Sequence, residues 1–207
     1  MKKALIIAIS ALTAQLSLAA PHDDARQLLQ KEWAHIKYET PKEDRKEAFE
    51  ALADQSADVL AQYPKEADIL IWRAIILSTY AGEKGGLGAL SLVKEAKGLL
   101  ETSIELDPTA LNGSAYTSLG SLYYQVPGWP IGFGSDKKAR AHLQKALEIN
   151  PDGIDSNFFY GDFLIEQNQT AEAKAALQHA LAAKSRPGRE LADKGRRAEI
   201  QALLSKL

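Results

Sequence analysis

The chain has 207 residues, 45% of them hydrophobic and 25% charged, with a formal net charge of −2. This mild acidic balance argues against a nucleic-acid partner, because proteins that bind nucleic acids carry clustered basic residues. The sequence contains no cysteine, which excludes disulfides, thiolate metal sites and lipid attachment through an N-terminal cysteine.

The first 19 residues have the layout of a secretory signal peptide. Two lysines precede an apolar run over residues 4–14, and Ser17 and Ala19 supply the small residues of a cleavage site. The apolar run is shorter than the roughly 20 residues that span a bilayer. We therefore expect a cleaved signal peptide over residues 1–19 and a periplasmic or secreted protein without stable membrane insertion.

Two helical segments follow, over residues 23–37 and 43–62, where apolar residues recur at helical spacing. Pro41 and Pro64 interrupt the pattern after each segment. We interpret residues 20–66 as a divergent N-terminal helix pair.

An internal repeat dominates the rest of the chain. Residues 139–147 align with residues 173–181 at an offset of 34, which is the tetratricopeptide period. Residues 95–108 align with residues 138–151 at an offset of 43, and both copies end at a proline. The longer offset indicates that extra residues separate the first two copies.

Small residues recur where two helices of one repeat are expected to pack closely. On the first helices these are Ala74, Gly120 and Gly161, and on the second helices Ala96, Ala139 and Ala173. The pattern over residues 67–187 resembles tetratricopeptide repeats. It predicts an all-α, right-handed helical solenoid with three repeats, whose first helices line a concave binding face. Residues 20–207 would form one domain.

Two of the repeats carry insertions at the turn between their helices. The small residues are twelve positions apart in the last repeat, nineteen in the middle repeat and twenty-two in the first. Both insertions should project from one edge of the solenoid, where added residues can build a site. We interpret residues 82–88 as a flexible connector, because they lack the strand and the Gly-Lys-Ser/Thr ending of a phosphate-binding loop.

The insertion over residues 126–134 is rich in proline and glycine, which predicts an ordered loop. Its rings Trp129 and Phe133 either pack back onto the helix ends or line a ligand site. Side chains of the preceding and following helices are expected to face the groove. The predicted binding residues are Tyr124, Pro127, Trp129, Pro130 and Phe133, together with Thr117, Ser121, Phe158, Asp162 and Ile165.

Residues 188–207 are predicted to form a C-terminal capping helix. The arginines at positions 186, 189, 196 and 197 could bind a phosphate or carboxylate, but they alternate with acidic residues as on a solvated helix. The four histidines fall on separate elements and are expected at the surface. No catalytic set, metal site or cofactor site is predicted.

Several segments resemble the T component family of TRAP (tripartite ATP-independent periplasmic) transporters. They are residues 127–134, 136–139, 150–155, 159–163, 186–189 and 195–200. The resemblance implies a periplasmic helical repeat protein with a role in solute uptake. Together with the repeats it favours an exported scaffold that binds a periplasmic protein partner. The alternative is a carrier that holds a small hydrophobic or carboxylate ligand at residues 126–134.

Overall fold

The structure is a computed structural model, and it describes residues 20–207; the expected signal peptide lies outside the described residues. Within this range the chain forms nine helices. Their bounds are α1 Pro21–Tyr38, α2 Arg45–Gln62, α3 Ala67–Lys84, α4 Gly86–Leu106, α5 Ala110–Gln125, α6 Asp136–Ile149, α7 Ile154–Glu166, α8 Thr170–Ala182 and α9 Glu190–Leu204. The predicted all-α helical repeat fold is confirmed.

The helices pack in antiparallel pairs, α3 with α4, α5 with α6, and α7 with α8. The odd-numbered helices also contact one another in succession from α1 to α9, and α9 in turn contacts α1. The five odd-numbered helices therefore form a closed inner ring, and the even-numbered helices pack around it. None of the helices described is long and apolar enough to cross a membrane.

The small residues lie at the tightest helix contacts, as the repeat pattern predicts. A Cβ atom added at Gly120 would approach Cγ of Leu143 on α6 to 2.5 Å, and one added at Gly161 would approach Cγ of Leu177 on α8 to 2.8 Å. Real carbon atoms do not approach so closely. The glycines are therefore required for the close packing of these two pairs.

We expect Gly120→Ala to lower the free energy of unfolding by about 1 to 2 kcal/mol, because the strain of displacing Leu143 exceeds the helix-propensity gain. Gly98→Ala is the matched control, since Gly98 is an exposed glycine of α4 with no atom within 4 Å of an added Cβ. It should stabilise the protein by about 0.5 to 1 kcal/mol. Chemical denaturation measures both values, and equal effects would contradict this account of the pair.

The first insertion lengthens two helices instead of forming a connector. Helix α3 continues to Lys84 and α4 begins at Gly86, so Gly85 alone joins them. Gly85 and Gly86 have φ angles of 63° and 61°, which glycine adopts without strain. The prediction of a connector over residues 82–88 is therefore wrong: helical hydrogen bonds extend through most of the segment.

Candidate functional site: the central cavity

A cavity of about 1180 Å³ lies between the inner helices. Residues from all five odd-numbered helices line it, together with the first turns of α4 and part of the loop after α5. Ligand pockets in proteins measure about 300 to 1,000 Å³. The cavity is therefore large enough for a sizeable small molecule.

Much of the cavity lining is apolar. The apolar part is formed by Trp33, Trp72, Ile75, Leu90, Val93, Leu122 and Phe158, among others. The indole Nε1–H of Trp33 donates to Oγ1 of Thr79 at 2.9 Å, which satisfies that donor. The surface suits the hydrocarbon part of a ligand, because burying apolar area there removes it from water.

The predicted groove residues of α5 and α7 meet at this cavity. Thr117, Ser121, Phe158 and Asp162 all line it. Tyr124 lies just behind them, and its hydroxyl donates to Oδ2 of Asp162 at 2.6 Å. Burial and the neighbouring Asp162 carboxylate raise the pKa of the Tyr124 phenol well above its usual value. Tyr124 therefore stays a hydrogen-bond donor and holds Asp162 in position.

An ion-pair cluster occupies the α7–α9 side of the cavity. Asp155 accepts from Nη1 of Arg186 at 2.7 Å and from Nε of Arg196 at 2.9 Å. Arg186 also donates to the buried Asp193 at 2.6 Å, and Arg196 to Glu199 at 2.6 Å. Burial alone would raise the pKa of Asp155, but the two guanidinium groups hold it well below its usual range.

This cluster corrects the interpretation of α9 as a solvated helix. Arg196 is 9% exposed and Asp193 is 2% exposed. The guanidinium of Arg196 lies 4.0 Å from the ring centroid of Phe158, over its face. The basic and acidic residues of α9 therefore form ion pairs on the side of the helix that faces the cavity.

Arg189 differs from the other arginines of the cluster. Its guanidinium lies 4.8 Å from the ring centroid of Trp72, and both side chains line the cavity. Among the residues described, its side chain makes no ion pair within 4.0 Å and no hydrogen bond. Burial, followed by the nearby Arg186, lowers the pKa of Arg189 to about 10. It is still protonated at neutral pH.

The inner ring closes where α9 meets α1. The Tyr38 hydroxyl donates to Oε2 of Glu199 at 3.4 Å, and Gly195 lies so close to the Tyr38 ring that a Cβ at position 195 would overlap it. Burial raises the pKa of Tyr38 above its usual value, so the hydroxyl keeps its proton. This contact makes α9 a closing element as well as the predicted C-terminal cap.

The loop over residues 126–134 has its own hydrogen bonds. The Gly134 amide donates to the Pro127 carbonyl at 3.0 Å, and the amides of Ile131 and Gly132 donate to the Gly128 carbonyl at 3.1 Å. A Cβ at Gly134 would overlap the Val126 carbonyl oxygen. These contacts fit the ordered loop that its glycines and prolines predict.

The predicted loop residues do not share one location. Pro127 lines the cavity, whereas Phe133 packs edge-on against Tyr123 with ring centroids 5.6 Å apart. Trp129 is 90% exposed, so it neither lines the cavity nor packs onto the helix ends. Pro130 is also exposed, and Ile165 packs in the separate apolar cluster around Phe158 and Leu177. Of the two predicted alternatives, Phe133 packs onto the helix ends, whereas Trp129 neither packs there nor lines the cavity.

Two features of the histidines differ from the sequence interpretation. His142 is half-buried and stacks on Tyr123 with ring centroids 5.3 Å apart, and this partial burial lowers its pKa. His22 lies with Glu66 and Asp68 in a group whose ligand atoms are within 4.8 Å of one another. Arg26 donates to Asp68 at 2.9 Å in the same group. Its positive charge already compensates the carboxylate that a metal would need.

The fold and the cavity define a class: an all-α helical repeat protein with a central cavity. Residues 137–207 match the tetratricopeptide repeat family model. Tetratricopeptide repeat proteins generally act as scaffolds that bind protein partners, without enzymatic activity. No functionally curated protein matches this chain.

The solved structures to which this chain is similar share little sequence with it. TTC0263, a thermophilic tetratricopeptide repeat protein of Thermus thermophilus, is 15% identical with a TM-score of 0.44; the match covers 87% of this chain and 99% of that one. One MamA structure is 21% identical with a TM-score of 0.42, over 79% of this chain and 90% of MamA. A second gives 19% and 0.41, over 88% and 90%.

Proposed function

We propose that this chain is an exported binding protein that holds an apolar small molecule in its central cavity. The closed ring carries the proposal: because α9 contacts α1, the groove that an open solenoid offers to a partner becomes a cavity bounded by five helices. A cavity lined by five helices removes part of a small ligand's surface from water, as ligand sites in proteins do.

Export and solute uptake belong to the same proposal. The basic, apolar and small residues of positions 1–19 favour cleavage before Ala20. The resemblance of residues 127–139 to the T components of TRAP transporters favours a role in carrying a solute in the periplasm. Intact mass measurement of the protein from a periplasmic fraction tests export: we expect a chain that begins at Ala20, and an uncleaved cytoplasmic chain would contradict it.

A cavity-filling variant tests the ligand site. Calorimetric titration with dodecanol, an uncharged apolar probe, should show binding to the natural sequence. Ser121→Trp should weaken that binding at least tenfold, because the indole would occupy part of the cavity that Ser121 lines. Gln144→Trp is the matched control at an exposed position of α6 and should leave the affinity unchanged. Equal affinity in all three proteins would contradict a ligand site in the cavity.

A second candidate function is partner binding at the edge formed by the loop over residues 126–134 and the start of α4. Leu87, Trp129 and Ile131 are 87%, 90% and 61% exposed, and Leu87 and Ile131 also line the cavity. Large apolar side chains exposed together are typical of protein contact sites. This edge therefore offers a partner a surface beside the cavity.

Photocrosslinking in the native host tests this second role. A photoreactive residue at position 129 should yield one discrete adduct, whereas the same residue at exposed position 145 should not. No adduct at position 129, or the same adducts at both positions, would contradict a docking site at this edge.

A further inference from the structure

We propose that Arg189 and Trp72 form a carboxylate-binding subsite, so that the cavity ligand is an apolar small molecule with a carboxylate head. The inference rests on the proposed ligand-binding function and specifies the chemical class of the ligand. It assigns the polar end of the ligand to the α3–α9 side of the cavity.

A guanidinium at the cavity wall, without an acidic partner among residues 20–207, carries the inference. Nε of Arg189 and Nε1 of Trp72 are both buried, and among residues 20–207 neither has a hydrogen-bond acceptor. The two side chains are stacked, 4.8 Å from guanidinium carbon to ring centroid, and both line the cavity. The two Nη groups of Arg189 also have no acceptor among these residues, and unlike Nε they are not buried. A ligand oxygen in the cavity can therefore reach them, while Trp72 supports the guanidinium from one side.

The chemistry of the donors selects a carboxylate. A guanidinium presents its N–H groups in a planar fork that matches the two oxygens of a carboxylate. The neighbouring arginines are not available for this role, because Arg186 and Arg196 already donate to Asp155. Asp155 pairs with Arg186 and Arg196 but not with Arg189. The N–H groups of Arg189 therefore remain available to a ligand.

The surroundings of the subsite also favour an ionised head group. The indole ring of Trp72, 4% exposed, covers one face of the Arg189 guanidinium and shields it from water. An ion pair formed there is stronger than one at the surface, because the local dielectric constant is lower. The apolar residues around Trp33 and Phe158 would then hold the hydrocarbon chain.

A matched pair of ligands separates this inference from the proposed function. Dodecanoate and dodecanol share an alkyl chain, and dodecanoate alone carries the carboxylate. By calorimetric titration, Arg189→Gln should weaken dodecanoate binding at least tenfold, equivalent to about 1.4 kcal/mol, and leave dodecanol binding unchanged. Lys194→Gln is the charge control, since Lys194 is an exposed cation on α9.

The outcomes are distinct. If the natural sequence binds both ligands and Arg189→Gln changes neither affinity, the carboxylate subsite is refuted and the proposed function stands. Equal losses for dodecanoate in Arg189→Gln and Lys194→Gln would also refute it, because a general charge effect would then explain both. If neither ligand binds the natural sequence, the proposed function fails, and this inference fails with it.

Discussion

Asp155→Asn should lower the free energy of unfolding by about 2 to 3 kcal/mol at neutral pH. The substitution removes the carboxylate that joins Arg186 and Arg196 and leaves each with one acidic partner, Asp193 or Glu199. Breaking a buried ion pair from one side is costly because the remaining positive charges are then only partly compensated. The side chain of Asp155 is 31% exposed, which places the effect below the largest losses measured for fully buried pairs.

Asp152→Asn is the control for this prediction. Asp152 also pairs with a basic residue, His179 at 2.8 Å, but its side chain is 84% exposed. Surface pairs of this kind contribute little, so its loss should change stability by less than about 0.5 kcal/mol. Urea denaturation measures the free energy of unfolding of both variants. Equal losses in the two variants would contradict a stabilising role of the cluster.

The stabilisation by Asp155 should also depend on pH. The pKa of Asp155 is lower in the folded protein than in the unfolded chain, where a carboxyl titrates near about 4. Its contribution is therefore complete above that pH and is lost as the pH falls towards the folded pKa. We expect the stability difference between the natural sequence and Asp155→Asn to shrink between about pH 5 and pH 3, and a constant difference would contradict it.

Gly195→Leu should open the inner ring. No side chain fits between Gly195 and the Tyr38 ring, so a leucine must push α9 away from α1. Overpacking of this kind costs about 1 to 3 kcal/mol. We expect faster hydrogen exchange in α1 and α9, together with at least tenfold weaker dodecanoate binding because the cavity loses one wall.

Gly98→Leu is the matched control for ring opening. It places the same side chain on an exposed position of α4, where nothing lies within 4 Å of an added Cβ. Its exchange rates in α1 and α9 and its dodecanoate affinity should equal those of the natural sequence. Unchanged binding in Gly195→Leu would mean that ring closure is not needed for the site.

The repeat architecture was predictable because its signals are local. Small residues such as Gly120 and Gly161 recur at the helix contacts of each repeat, and the same short pattern is repeated along the chain. The same helical spacing explains why four predicted groove residues line one cavity: Thr117, Ser121, Phe158 and Asp162. These features need no knowledge of contacts between distant parts of the chain.

Ring closure could not be predicted in this way. Tyr38 and Glu199 are 161 positions apart, and nothing in either local sequence indicates their contact. If this contact is not known, the mixed charges of α9 indicate a solvated helix. Buried ion pairs and exposed charges give the same alternation of basic and acidic residues in a sequence. The run of arginines from position 186 was the available signal for the ion-pair cluster, but its partner Asp155 lies on another helix.

The loop illustrates a different limit. Its prolines and glycines indicate order, but they do not determine the direction of each ring. Phe133 packs on Tyr123, whereas Trp129 is exposed, although both are aromatic residues of one short segment. Their placement depends on backbone contacts such as that between Gly134 and Pro127.

The crystal structure of the protein with dodecanoate tests the central claim most directly. We predict the alkyl chain between the five inner helices, beside Trp33 and Phe158, with the carboxylate oxygens within hydrogen-bond distance of Arg189. Dodecanoate bound only on the outer surface of the ring, with α1 and α9 in contact as described, would contradict the account.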